Sequence, residues 1–479
     1  MKESLPIHPE LWNAIPPAAQ AAVAAVVTEL KATIVARDGR IAFLETRIAD
    51  LEFRLNQNST NSSKPPSSDS PYLKPAPPRK PSGKRKGGQP GHPKRIRPQL
   101  SPDHIVDLKA DTCGGCGTPL SGDDPKPLRH QVIEIPPPPK PEVTEYRQHR
   151  RCCPQCHRIN WEPLPAEARS GFGPRLQAIG ALLSGGYRIG KRGVARLLRD
   201  LFGVPISSAA VCKLEHRTAQ ALGPITEEIW SHLAGQPANV DETSWREGTK
   251  SGWLWTVVGR DATAFAIRSS RSKAVFQELI PGSSGLLTTD RLSIYDYLDK
   301  NRHQVCWAHL RRDFQAIIDR KDAGSAVGVG LVDCADRLLK HWKRVRDGTL
   351  SREQFQNGPL IELIGEVNTW LDRGWNCGVP KTRNICYELM QLGQPLWRFA
   401  WVEGVEPTNN AAERALRHGV FWRKTSAGTD STRGSRFVER ILTVVESCRQ
   451  QGRHLLNFLT DAIHAHRMAS PHPSLLPAK

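Results

Sequence analysis

Long apolar runs and acidic side chains are both scarce in these 479 residues. No stretch reaches the roughly 18 uninterrupted apolar residues of a membrane-crossing helix, which argues against a spanning protein. The Ala/Val-rich run from Ala18 to Val27 is broken by Gln20 and follows no positively charged segment, so it does not read as a secretory signal. Asp and Glu number 48 against 67 Lys and Arg, a formal charge of +19. That excess makes a polyanion the first partner to consider, because neutralising phosphates releases counterions condensed on nucleic acid. The eleven cysteines are odd in number and unevenly spread, unlike the even framework of a secreted disulfide scaffold. The expectation is a soluble cytoplasmic protein with no membrane partner, holding three or four domains at roughly 100–200 residues each.

Residues 1–57 carry a helical repeat. Val27, Ile34, Ile41, Ile48 and Leu55 fall on heptad position a, and Val23, Leu30, Arg37, Leu44 and Leu51 on position d. β-Branched residues at a with Leu at d favour a parallel two-stranded coiled coil, so self-association as a dimer or higher oligomer is predicted. Residues 58–100 then change abruptly in composition. Ten Lys/Arg stand against the single acid Asp69 between Lys64 and Arg97, among frequent Pro and Gly. Too little there is apolar to offset the entropy of ordering a core, so the segment reads as an unstructured basic linker. Its cluster Lys84-Arg85-Lys86 suits a flexible arm that tracks phosphates or enters a minor groove.

Two Cys-x-x-Cys turns, Cys113/Cys116 and Cys153/Cys156, mark residues 101–166 as a zinc-ribbon-like module. Each turn brings two thiolates within reach of one ion, and two turns complete a tetrahedral four-sulfur site for one structural Zn²⁺. The strand-like run His130 to Ile135 lies between them. Residues 167–233 read as short helices. An amphipathic helix, a Gly-Val-Pro turn and a second helix capped at Ser207/Ser208 have helix-turn-helix spacing, which would aim Lys213 and Arg217 at DNA.

β-like segments follow at Pro237–Val240, Trp253–Val258, Thr263–Arg268, Gly285–Thr289 and His303–Trp307, then helical sequence from Ala308 to about Ala400. This order implies a mixed sheet flanked by helices. Asp241 and Asp290 sit just past β-like runs, where side chains project into a shared crevice, and Glu413 opens a predicted helix. Three converging carboxylates repel unless cations neutralise them, and hard oxygen ligands select Mg²⁺ or Mn²⁺. Two such ions would activate a water or hydroxyl and stabilise a departing 3′-oxygen. A plainer account also exists: Asp241 and Asp290 as turn residues, Glu413 as the last member of an Asn410-x-x-Glu helix cap. Cys306-x-x-His309 is a further pair of undecided role, and Glu242 is a rival ligand that strand alternation points to the opposite face.

The strings VDETSWR, TTDRLSIYDYL, CWAHLRRDF, EPTNNAAERALR and GSRFVERILTVVESCRQQG resemble the transposases of the insertion sequence 66 family, over nearly the whole chain. The resemblance implies a DDE recombinase with a ribonuclease-H-like catalytic domain over 234–425, interrupted by a helical insertion at 319–402. It matches Asp241, Asp290 and Glu413 to the three catalytic acids. One departure is Thr408, where many relatives carry Asp before the Asn-Asn pair. The implied partners are double-stranded DNA at the element's ends and target, and accessory transposition proteins, in a bacterial nucleoid. Arg414, Arg417, Arg423 and Lys424 lie just beyond Glu413, placed to neutralise DNA phosphates, and lead into a basic helical region over 426–479. The competing expectation is a dimeric zinc-containing DNA-binding regulator with an inactive nuclease-like domain.

Overall fold

The computed structural model describes residues 9–62, 69, 97–138, 140–281 and 285–476; Lys84, Arg85 and Lys86 lie outside the described residues. The chain divides into two compact units, one of residues 70–145 and 196–205, the other of residues 1–69, 146–195 and 206–479.

The smaller unit contains the first cysteine turn. The Cys113 amide donates to Thr118 O (2.9 Å) and the Gly117 amide to Cys113 O (2.9 Å), closing a tight knuckle in which Gly117 takes a φ of 73°. Residues 130–135, expected as a strand, form none. Val132, Ile133 and Ile135 are exposed, no second strand pairs with them, and the prolines that follow have no amide to extend a ladder.

In the larger unit, α1 (Pro9–Asn13) precedes α2 (Pro17–Leu55), a 39-residue helix with no buried residue. Its seam stands open, Ile34 being 56% exposed and Ile48 54%. Counting uninterrupted apolar residues excluded a membrane span, but α2 is long and apolar enough to cross one by length and average composition, with an 18-residue stretch of mean hydropathy 1.4. Its many alanines and valines raise the average around Gln20, Glu29 and Lys31. β1 (Arg151–Cys152) and β2 (Ile159–Asn160) form a two-residue antiparallel ladder around the second cysteine turn. There the Cys153 amide donates to Arg158 O and the His157 amide to Cys153 O, both at 2.9 Å, the pattern of the first knuckle.

Helices α3 (Pro174–Ala181), α4 (Lys191–Phe202) and α5 (Ser208–Leu233) follow. Ser207 caps α5 by accepting from the Ala210 amide. The helix continues through Pro224 to Leu233. Val211, Leu214, Thr218, Leu222, Ile225, Ile229 and Leu233 recur on one buried face at three- and four-residue steps, and that burial outweighs the missing proline amide.

Five strands make one mixed sheet: β3 (Ala238–Glu247), β4 (Lys250–Val258), β5 (Thr263–Arg268), β6 (Leu287–Thr289) and β7 (His303–Val305). Their spatial order is β5-β4-β3-β6-β7. β4 pairs antiparallel with both β3 and β5, and β6 and β7 run parallel to β3. A short α6 (Lys273–Leu279) separates β5 from β6. Helices α7 (Trp307–Asp319), α8 (Ser325–Arg346), α9 (Arg352–Asn357), α10 (Pro359–Trp375), α11 (Pro380–Leu392) and α12 (Arg398–Trp401) gather a separate core around Trp307, Phe314, Leu331, Phe355 and Phe399. Three more helices close the chain: α13 (Asn410–Ser426), α14 (Thr432–Gln450) and α15 (Leu455–Arg467).

Alternation along β4 divides the sheet's two faces. Leu254 and Val258 pack with Ala412, Ala415 and Leu416 of α13, while Trp255 and Val257 pack with α5 and α6. Helix α14 covers the open edge at β5. Ser447 Oγ accepts from the Thr263 amide (3.0 Å), Thr443 Oγ1 from Phe265 (3.0 Å) and the Glu439 carboxylate from Ile267. The match is metrical: four helical residues rise about 6 Å and two strand residues about 6.6 Å, so every fourth side chain meets every second amide. The helix therefore satisfies amides that an edge strand would otherwise present to other chains.

Thr443→Val keeps the shape but leaves the buried Phe265 amide without an acceptor. It should cost about 1–3 kcal/mol and lower the thermal midpoint by several degrees. Thr460→Val, which removes a hydroxyl bonded within α15 itself (to Leu456 O), is the control and should move the midpoint far less.

Candidate active site

Asp241 lies inside β3, opposite Thr256 of β4, not just past a strand ending at Val240. β4 pairs with every residue from Asn239 to Glu247, and those ladder bonds carry a polar Asp-Glu-Thr-Ser stretch with little strand preference of its own. Asp290 directly follows β6, where its Oδ1 accepts the Leu292 amide at 3.0 Å. Glu413 is in the first turn of α13. The helix begins at Asn410 and no side chain caps it, so the Asn-x-x-Glu cap does not explain Glu413.

Asn409, fully buried, ties these elements together. Its amide donates to Cys306 Sγ (3.1 Å) and its Nδ2 to Val240 O (2.7 Å), beside Asp241. The Cys306 amide in turn donates to Thr289 O, beside Asp290. One strut thus joins the backbone next to all three acids. Burial pushes the Cys306 thiol up to about 11, so it serves here as a neutral acceptor rather than a thiolate ligand.

The three acids converge electrostatically. Burial pushes the Asp241 carboxyl well above its ordinary range, and the negative charges of Glu242, Asp290 and Glu413 push it further. Asp290 is raised by burial and partly relieved by the Leu292 amide and by Arg271, Arg312 and Arg291. Glu242 faces the other side of β3, as alternation requires, yet belongs to the same cluster. Burial and Asp290 raise it to about 7, while the Tyr295 hydroxyl, donating at 2.9 Å, and Arg271 hold it down. A fifth carboxyl, Asp313, is raised by burial, with Arg291 and Arg312 acting against that shift. Glu413 Oε1 is held by Arg312 (3.1 Å) and faces His309 Nε2 at 3.6 Å. Burial and Arg312 lower His309 to about 3, so its imidazole is neutral.

Among the described residues, no three His, Cys, Asp or Glu side chains stand close enough to form a ready metal-ligand set. The donor chemistry nevertheless suits a hard divalent cation, since buried oxygens with raised pKa values are the ones an added positive charge relieves. Ligation by all three acids would replace the Arg312 and His309 contacts of Glu413.

The cationic candidates separate into two groups. Arg414, Arg417 and Lys424 are exposed on α13, and Lys213 and Arg217 on α5, Arg217 donating to Ser170 Oγ at 2.8 Å. Arg423 instead donates to Ser244 O of β3 (2.6 Å), which makes it a brace between helix and sheet. The cysteine knuckles are exposed or half-buried, with the Cys116 thiol lowered by Thr118 and the Cys153 thiol by the Cys156 amide. Sequence reasoning missed Asp313, Arg291 and Asn409 as members of the cluster. Only the string TNNAAER, with its paired asparagines at the helix start, hinted at the last.

Comparison with known proteins gives a family. The pattern described as "Transposase IS66 family" matches residues 170–436, which is 267 of 479 residues, and residues 10–98 match a family of unknown function (DUF6444). Two similar proteins come from Sinorhizobium fredii. Uncharacterized protein y4hP is 24% identical over 385 residues, covering 70% of this chain and 66% of the relative. Uncharacterized protein y4qI is 24% identical over 240 residues, covering 45% of this chain and 44% of the relative. This chain therefore spans less than two thirds of the length of either relative. The family match takes in all three acids, the sheet and the helices that hold them, and this chain belongs to the IS66 family of transposases.

Proposed function

We propose that this protein is a DNA transposase that cuts and joins phosphodiesters with Asp241, Asp290 and Glu413, in a ribonuclease-H-like catalytic core. The carrying observation is the raised Asp241 carboxyl, pushed up by burial and then by the charges of Glu242, Asp290 and Glu413, the last two lying 49 and 172 residues further along the sequence (290 − 241 and 413 − 241). The strand order β5-β4-β3-β6-β7, three antiparallel strands followed by two parallel ones, supports that type of core. A pair of Mg²⁺ or Mn²⁺ ions held by these acids would supply Lewis-acid activation of the attacking oxygen and stabilise the departing one. The chain's own part is to collect the ligands, exclude water through the buried ends of β3 and β6, and neutralise the phosphate with Arg271, Arg291 and Arg312. In the first displacement a water oxygen bonds to phosphorus as the bond to the 3′-oxygen breaks. In the second, the freed 3′-hydroxyl oxygen bonds to a target phosphorus as that phosphorus loses its bond to the target's own 3′-oxygen, which leaves and is protonated, and no covalent link to the protein forms.

The open a/d seam of α2 is assigned to a second copy of the chain, as a parallel coiled coil. The cysteine knuckles are assigned to structural zinc, which binds thiolates in turns of this kind. Double-stranded DNA is the partner that the +19 charge favours, and a cytoplasmic, nucleoid-associated location accords with it. Accessory transposition proteins belong to the same proposal.

Asp241→Asn should abolish divalent-metal-dependent cleavage of the element's terminal DNA while leaving duplex affinity within about twofold. Undiminished cleavage by that variant refutes the assignment, and a wild-type chain that binds the ends without ever cleaving them favours the regulator reading. Ile34→Asp combined with Leu51→Asp should shift the chain to monomer in light scattering, whereas an unchanged oligomer excludes the α2 seam. A pH effect also follows. Glu242 changes from about 4.5 unfolded to about 7 folded, so the folded state binds more protons between those values. Without divalent cations, stability should therefore fall as pH rises from about 5 to 7 and then level off, by at most about 3 kcal/mol from this group. Asp241 and Asp290 act in the same direction. Glu242→Gln should flatten the plot of thermal midpoint against pH, and an unaltered slope contradicts its placement in the cluster.

A further inference from the structure

We infer that a cleft away from the acids, between α5 and the α13–α14 connection, grips the sugar–phosphate backbone of the DNA; this rests on the transposase reading above. The cleft has a volume of about 660 Å³. Five cations line it, Arg188, Lys191, Lys213, Arg217 and Arg433, against the acids Glu215 and Asp430, a net of 5 − 2 = +3. Two of the five are occupied, Lys191 by Glu215 (3.4 Å) and Arg217 by Ser170. Lys213 and Arg433 are exposed and form no hydrogen bond or ion pair among the described residues.

Arg188 is the more telling residue. It holds a left-handed φ of 59°, which side-chain-bearing residues rarely adopt, and its guanidinium stacks on Phe421 of α13 at 5.0 Å. Its Nη1 is nevertheless shielded from water with no hydrogen-bond partner. A secluded guanidinium nitrogen with no acceptor is costly, and a phosphate oxygen is the acceptor that matches it. Backbone strain of this kind persists where the surrounding structure enforces it, most often at binding and catalytic sites.

The far wall of the cleft is anchored to the strand that carries Asp241. The Thr429 amide donates to Arg246 O (3.0 Å) and the Gly248 amide to Thr429 O (2.7 Å). Gly428, with φ 104°, lies so close that a Cβ there would meet Arg246 O at 2.2 Å, so the connection cannot back away. Helix α13 spans from Glu413 at one end to Thr425, a cleft residue, at the other, 12 residues or roughly 18 Å. That distance equals about five base-pair steps of 3.4 Å. A duplex whose scissile bond lies at the acids thus places a phosphate about five base pairs away in the cleft, with exposed Arg417 and Lys424 between. The cleft's volume and its row of cations fit a polymer backbone better than one free anion.

The test compares full-length wild-type protein with Lys213→Glu/Arg433→Glu, using a labelled duplex of the element's end. The control is Lys340→Glu/Lys343→Glu, the same charge change on exposed residues of α8. The cleft variant should bind about tenfold or more weakly near 100 mM salt, with the log–log salt slope reduced by about 2, and the control should change neither. Phosphate ethylation interference should place the lost contact about five base pairs from the cut. If the cleft variant matches the wild type in affinity and slope while cleavage persists, the cleft is refuted and the transposase reading stands. Competition by millimolar inorganic phosphate in the wild type but not in the cleft variant, with DNA affinity equal in both, identifies a small-anion site and also refutes it. A wild-type chain with no duplex affinity overturns both.

Discussion

Like charges forced together beneath the surface set the terms for the rest of this protein. Asp241, Glu242, Asp290, Glu413 and Asp313 come from two strands and two helices, and their charges act on one another in a region largely closed to solvent. Such a cluster is unfavourable by itself, so the surrounding scaffold has to hold it. The long β3–β4 ladder fixes Asp241 against its own poor strand preference. Asn409 and Cys306 lock the starts of α13 and α7 to the backbone beside the acids. Arg271, Arg291 and Arg312 supply partial countercharge from the rim.

The same economy appears at the margins of the sheet. Helix α14 replaces a missing sixth strand by offering Ser447, Thr443 and Glu439 to the amides of β5, which secures the helix that follows α13. Helix α13 carries Glu413 at its start and borders the cationic cleft at its end, so a single helix joins the two regions. Arg423, with a sequence position suited to DNA, is spent instead on bracing that helix against β3.

Much of this was readable along the chain. The apolar runs located β5 to the residue and β4 to its last six residues, Ser207 announced α5, and the heptads of residues 23–55 announced α2. These are features in which neighbours in sequence are neighbours in space, so period and capping chemistry carry the information. Strand β3 was cut short because its second half is polar and is held by a partner rather than by its own residues. The run 130–135 misled for the opposite reason: strand-like side chains with nothing to pair with. Helix α5 runs through Pro224 because a buried face compensates for the missing amide.

Composition, strings and spacing were therefore enough to name the family and to single out three acids as candidates. They could not show that Glu242 and Asp313 join the acids, that Arg312 reaches Glu413, or that Arg188 Nη1 is left without an acceptor. Each of those facts depends on side chains from 23 (Asp290 and Asp313) to 233 (Arg188 and Phe421) residues apart meeting in a low-dielectric interior. Burial and mutual charge arise from three-dimensional closeness, a quantity that no local pattern along the polymer encodes.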